Sequence, residues 1–170
     1  MTRIRPARVE ESSRLSEIER LSGERFREVG LDHVADDEPT SPVSYAGYVN
    51  AQRAWVAEDE TGEAVGFVVV SEVDGDAHID QISVVPAHQG QGLGRALVEQ
   101  AVTWALECDH RELTLTTFDH VPWNRPLYEH LGFRVMLPAE IGPGLRAVLD
   151  LEAEQGLDPA TRVAMVRRLD

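Results

Sequence analysis

Between residues 84 and 97 the chain reads VVPAHQGQGLGRAL, with glycines at 90, 92 and 94. Glycine at alternate positions leaves few side chains in the way, so backbone N–H groups can converge on a single ligand. An apolar run closes at Pro86 ahead of the glycines and a helical pattern follows them, which reads as strand, turn and helix. The start of a helix adds N–H groups without intrahelical partners and about half a positive charge. The chemistry this points to is anion binding, with a phosphate or diphosphate as the expected guest.

Two familiar phosphate sites fail on these residues. A P-loop needs a lysine after its last glycine, and the chain contains no lysine at all. The dinucleotide fingerprint G-x-G-x-x-G fails as well, because counting from Gly90 its third glycine falls on Arg95. That fold also begins with parallel βαβ units, whereas the strands upstream of this turn are joined by tight turns.

The rest of the chain must position the turn. Its 170 residues suit one domain over residues 1–170 with an adequate core. The opening MTRIRPARVE lacks the apolar stretch of a signal peptide, and no apolar run approaches the roughly 20 residues of a membrane span. A cytoplasmic protein without a membrane partner is expected. The formal charge of −14 disfavours nucleic acid and suits a cationic acceptor, although acidity also simply keeps a protein soluble. Cys108 is the only cysteine, which excludes an intrachain disulfide and a cysteine metal cluster; its spacing from Leu97 and Trp104 places it on a buried helical stripe. No metal is expected.

Periodicity predicts a short edge strand at 4–6, a helix over 9–21 carrying Leu15, Ile18 and Leu21, and another turn or two of helix near Phe26, Val29 and Leu31. A short helix over 44–52 follows. Strands at 55–58, 64–73 and 78–85 are separated by ETGE and DGD, an antiparallel meander. A helix over 95–108 then precedes a strand at 112–118, so the strands on either side of that helix should run parallel by a right-handed crossover. Asn124 can cap a helix with Pro126 in its first turn and Gly132 after its end. A strand at 133–137, a helix over 145–155 and a strand at 163–169 complete the chain. The class is α/β, with a mixed, mainly antiparallel central sheet, one parallel crossover and flanking helices.

The segment Gln89-Gly90-Gln91-Gly92-Leu93-Gly94 resembles the [QR]-x-x-G-x-[GA] motif of the GNAT superfamily of N-acetyltransferases. About thirty residues later, NRPLYEHLGF resembles the superfamily's second signature of Asn, Tyr and Gly-Phe, and the order of elements from residue 3 to 133 matches the fold. The resemblance implies that N–H groups of Gln89, Gly90, Gln91, Gly92, Leu93, Gly94 and Arg95 cradle the diphosphate of acetyl-CoA, a co-substrate. It implies that Ile82, Ser83 and Val84 offer backbone groups to the pantetheine arm, that Ile82 or Ser83 holds the developing oxyanion, and that Asn124 bonds the same arm. Asn124 as a pure helix cap, and Arg95 as a solvent-exposed first-turn residue, remain open.

Tyr128 matches the position at which the superfamily commonly keeps a general acid, a phenol able to protonate the leaving thiolate. Packing on the cofactor without proton transfer is the alternative. For the base, His78 and Asp80 share a strand face with Ile82 and Val84 if that strand is regular, and His120 lies in a loop longer than the superfamily's usual connection, which also carries Asp119 and Trp123. Glu19, Glu24 and Phe26 fall in the region that walls the acceptor cleft in this superfamily. The implied acceptor is a small-molecule or peptide amine, and the implied assembly a monomer or homodimer. A non-catalytic CoA-binding sensor or interaction module, and an acyltransferase using another acyl-CoA, also remain open.

Overall fold

Tight turns with left-handed residues fold the middle of the chain back on itself. Strand β2 (Ala54–Glu58) turns into β3 (Ala64–Val73) through Gly62 at φ 86°, where one Asp59 carboxylate oxygen accepts from the N–H of Thr61 at 2.9 Å and of Glu63 at 3.1 Å. β3 turns into β4 (Asp76–Val84) through Asp74 and Gly75, at φ 55° and 81°. Two successive positive φ values give a hairpin turn whose twist matches that of the flanking strands. β1 (Arg3–Pro6) pairs antiparallel with β2. The computed structural model describes residues 3–170.

The sheet has seven strands in the order β1-β2-β3-β4-β5-β7-β6, where β5 is Glu112–Phe118, β6 Arg134–Val135 and β7 Arg162–Arg168. Among the described residues, only β4 and β5 run parallel, registered at Ala77↔Leu113 and His78↔Thr114, because the long helix between them supplies the crossover. The class read from the sequence holds. β3 is buried at seven consecutive positions from Ala64 to Val70, so both faces of this strand are covered.

Two compact units make up the chain. The first holds the described residues through Val70 together with Ile79–Thr103. Its helices are α1 (Ser12–Gly23), α2 (Asp32–Asp36) and α3 (Pro42–Asn50), and its core includes Leu15, Ile18, Tyr45, Phe67 and Leu97, all 0 % exposed. The Tyr45 and Phe67 rings meet edge to face at 5.1 Å. Arg5, only 8 % exposed, donates to both Glu11 and Glu58, which keeps a buried cation neutralised and ties β1 to β2.

The second unit holds Ser71–His78 and Trp104–Asp170. Its helices are α5 (Arg125–His130) and α6 (Pro143–Glu154). α6 begins without a cap of its own, since Gly142 is its N-cap residue. Asp74, from the hairpin turn, replaces one by accepting from the N–H of Gly144 at 2.7 Å and of Leu145 at 2.9 Å. Helix α4 (Leu93–Glu107) starts in the first unit and ends in the second.

Three expectations change. The first helix opens as a 3-10 turn at Val9–Glu11 before α1. The strand expected at 133–137 shortens to Arg134–Val135, with a 3-10 turn following at Pro138–Glu140. Cys108 does not sit on the buried stripe: α4 stops at Glu107, Asp109 takes φ 62°, His110 N–H returns to Ala105 C=O at 2.9 Å, and the thiol is left exposed past the helix end. Among the described residues, no helix is long and apolar enough to cross a membrane, and no group of three or more His, Cys, Asp or Glu side chains is placed to hold a metal.

Candidate functional site

The glycine turn has the backbone that its sequence demands. Gly90 and Gly92 adopt φ 79° and 82°, a region that L side chains rarely enter, and a Cβ on either would meet nothing within 4 Å. Conformation rather than crowding therefore requires glycine. The Gln89 side chain lashes the turn to the end of β4, with Nε2 donating to Val84 C=O at 2.9 Å. Its other end, Oε1, accepts from Arg25 Nη1 at 3.4 Å. The first bond of α4 runs from Ala96 N–H to Gly92 C=O at 3.1 Å, so the N–H groups of Leu93, Gly94 and Arg95 precede the intrahelical ladder. Gln91 and the Arg95 side chain are exposed. The turn is a place where several N–H groups and a helix N-terminus can serve one anion.

Strand β4 leads into that turn. Ile82 and Val84 are half-buried and Ser83 is buried, with Oγ accepting from Gln81 Nε2 at 3.0 Å. Asp80 is exposed and its Oδ2 accepts a hydrogen bond from the Tyr48 hydroxyl of α3. Burial and the adjacent Asp80 carboxylate raise the Tyr48 pKa, so the phenol stays a donor. One helical turn earlier, Tyr45 donates to Glu19 Oε1, which also accepts from Thr40 N–H at 3.1 Å. Glu19 thus anchors the segment entering α3. Glu24 is exposed and bonded to Arg27 at 2.9 Å, while Phe26 is half-buried.

Sequence reasoning missed Tyr48 and Arg25. Tyr45 and Tyr48 stand three residues apart, a spacing that places them on one helix face, but nothing local says which carboxylates they meet. Arg25 lies 64 residues from Gln89, and no pattern signals that contact.

The second unit holds the remaining candidates. Tyr128 is 8 % exposed, its ring packs edge to face on Phe133 at 5.9 Å, and its hydroxyl has no hydrogen-bond partner among the described residues. Burial pushes its pKa up to about 12, with the positive charge of Arg162 working in the opposite direction. Arg162 itself is held by Glu152 at 3.3 Å and lies 4.5 Å from the centre of the Phe118 ring. Asn124 occupies the N-cap position of α5 but makes no capping bond, and its Oδ1 is buried without a partner among the described residues. A buried acceptor left unsatisfied costs about 1–3 kcal/mol, a cost that a donor from a bound molecule or a water would relieve.

His78 is 3 % exposed and its Nδ1 lies 2.7 Å from Thr114 Oγ1, across the parallel strand pair. His120 is exposed, its ring 6.2 Å from that of Phe118, and Asp119 pairs with Arg125. A cavity of about 240 Å³ lined from β6, α6 and β7, with Met136, Leu149 and Val163 among its walls, contains none of these candidates.

Residues 15–133, from α1 to the residue before β6, match the Acetyltransferase (GNAT) family. The chain belongs to that family. This acetyltransferase is 28 % identical over 149 residues to the peptidyl-lysine N-acetyltransferase YjaB of Salmonella typhimurium, covering 83 % of this chain and 89 % of that protein. Its fold is shared by Rv2747 of Mycobacterium tuberculosis, solved in complex with CoA and NLQ, with a TM-score of 0.73, 20 % identity and 99 % of each chain covered. The ribosomal-protein-S18-alanine N-acetyltransferase of Escherichia coli superposes with a TM-score of 0.69 at 19 % identity, over 100 % of this chain and 95 % of that one. Within the first unit, the glycine turn of the acetyltransferase suits a diphosphate such as that of CoA; within the second, the Asn124 Oδ1 can accept from an amide N–H.

Proposed function

We propose that this acetyltransferase moves an acetyl group from acetyl-CoA to a primary amine by direct attack of the amine. The observation that carries the proposal is the turn at 89–95, with positive φ at Gly90 and Gly92 and N–H groups gathered at the start of a 15-residue helix. Bound acetyl-CoA supplies an activated acetyl thioester. In this reading the N–H groups of Gln89, Gly90, Gln91, Gly92, Leu93, Gly94 and Arg95 receive the diphosphate. Ile82, Ser83 and Val84 offer main-chain groups to the pantetheine arm, and an N–H at Ile82 or Ser83 steadies charge on the acyl oxygen. Asn124 Oδ1 accepts from an amide of that arm. Tyr128 gives its proton to the sulfur that leaves.

Relatives named for peptidyl-lysine and for an alanine amine make a protein or peptide amine the acceptor class of this reading. An amine with pKa about 10.4 is neutral in only about one molecule per thousand at pH 7, so a proton acceptor matters most for lysine-like acceptors. Asp80 takes that role here, because it is exposed and held by Tyr48, whereas His78 is buried against Thr114. His120, exposed in its loop, is the remaining candidate.

Two measurements test the reading. Acetyl-CoA at a hundredfold excess over its Kd is expected to stabilise the chain by about 2.7 kcal/mol in a thermal shift. Release of free CoA thiol across a panel of lysine peptides and N-terminal peptides then reports turnover and acceptor class. No shift with acetyl-CoA at millimolar concentration refutes the cofactor assignment. A shift without turnover on any amine refutes the transfer.

A further inference from the structure

The Gln89 side chain is used at both ends. With Nε2 donating to Val84 C=O at 2.9 Å, Oε1 is turned to the guanidinium of Arg25 at 3.4 Å. Gln89 is the first residue of the anion turn, so these contacts bring a cation from the 3-10 segment Glu24–Val29 to the edge of that turn. The turn is otherwise poor in positive charge. The chain has no lysine, its formal charge is −14, and within 89–95 only Arg95 is cationic. A diphosphate approaching such a protein meets general repulsion, which a local guanidinium relieves. Arginine also presents a planar fork of N–H donors suited to phosphate oxygens, and an anion adds a Coulomb attraction that a neutral amide oxygen lacks. The 3.4 Å contact with Gln89 lies beyond the usual range for N–H···O bonds, so it is readily exchanged for a phosphate oxygen.

We propose that Arg25 binds the diphosphate of CoA, a second cationic ligand contributed from outside the glycine turn. The inference rests on the assignment of that turn to CoA. It adds a consequence for the acceptor side: the segment carrying Glu24 and Phe26 is held by the bound cofactor through Arg25. A phosphate anion attracts the guanidinium more strongly than the neutral Gln89 amide does, and that attraction favours the segment lying against the bound cofactor.

The test compares ligands with and without the diphosphate. Calorimetric Kd values for CoA are measured on the wild type, Arg25→Gln, Arg25→Lys and, as a control at an exposed arginine in α6, Arg146→Gln. The kcat/KM for acetyl-CoA is set against that for S-acetylpantetheine, which lacks the diphosphate. Arg25→Gln is expected to weaken CoA binding about tenfold and to lower kcat/KM for acetyl-CoA to match, while leaving S-acetylpantetheine turnover within about twofold. Arg25→Lys should recover part of the loss, and Arg146→Gln should change nothing. Equal losses with both acyl donors would show that Arg25 merely shapes its segment, and an unchanged CoA Kd in Arg25→Gln would remove it from the site. If S-acetylpantetheine is not turned over, the Kd series decides alone, since a purely structural arginine would leave Arg25→Lys no better than Arg25→Gln. Failure of the wild type to bind CoA is a different result, which overturns the cofactor assignment and this proposal with it.

Discussion

The two units present their candidate groups by opposite means. In the first, the candidate groups are main-chain N–H groups at Gly90, Gly92 and the start of α4, and side chains such as Gln89 and Tyr48 hold the frame. In the second, the groups are side chains whose properties come from burial: a phenol without a hydrogen bond at Tyr128 and an orphaned carbonyl oxygen at Asn124. A site made of backbone is sensitive to conformation and tolerant of side-chain chemistry. A site made of buried polar atoms is the reverse, since a single atom changes function while the packing stays.

The largest expected effect sharpens this contrast. Tyr128→Phe removes one oxygen that has no hydrogen-bond partner among the described residues, so stability should hold to within about 0.5 kcal/mol while kcat falls on the order of a hundredfold at unchanged KM for acetyl-CoA. With the phenol pKa near 12, any basic limb of the rate profile below about pH 11 should survive the substitution, since it reports another group. Unchanged turnover would break the assignment of Tyr128 as acid.

Next in size is Gly144→Ala. A Cβ there would sit 2.7 Å from Asp74 Oδ1, which must withdraw from the N–H groups of Gly144 and Leu145 that it caps. A loss of about 1–2 kcal/mol in chemical denaturation is expected, with no change in CoA affinity. Gly92→Ala should do the converse in the first unit. Its methyl meets no protein atom, so the stability cost is confined to the strain of a left-handed residue, about 1–2 kcal/mol, and CoA affinity should drop roughly tenfold by calorimetry. Loss of stability without loss of affinity would contradict a backbone-built anion site.

The smallest effect lies on the surface of the second unit. Arg134 and the N–H of Leu137 hold the Glu140 carboxyl down to about 2, from an ordinary value near 4.5. A depressed carboxyl stabilises the fold above its unfolded pKa and loses that contribution as the pH falls through its folded one. The difference in melting temperature between wild type and Glu140→Gln should be full above about pH 5 and vanish near pH 2. A difference that persists at pH 2 would assign the effect to packing.

Much of the fold could be read locally. The strands at 64–73 and 112–118 begin and end where β-branched residues and alternation put them, and the turn at Asp74 and Gly75 is written in its residue types. The misreadings came at element ends. Cys108 fits the apolar stripe of α4 by spacing, yet the helix closes one residue before it, and only the return of His110 N–H to Ala105 C=O reveals that closure. His78 and Asp80 are equivalent by strand alternation, but one is buried against Thr114 and the other exposed beneath Tyr48.

By itself the sequence determined the glycine turn before α4 and the family, because a positive φ at glycine and the N–H groups of a helix start are properties of a few adjacent residues. Tertiary structure alone decided that Tyr48 meets Asp80, that Arg25 reaches Gln89, that Asn124 keeps an unpaired oxygen and that Tyr128 holds its proton to about pH 12. Each of these depends on desolvation or on partners that packing brings from distant parts of the chain. Neither is a local property of the sequence.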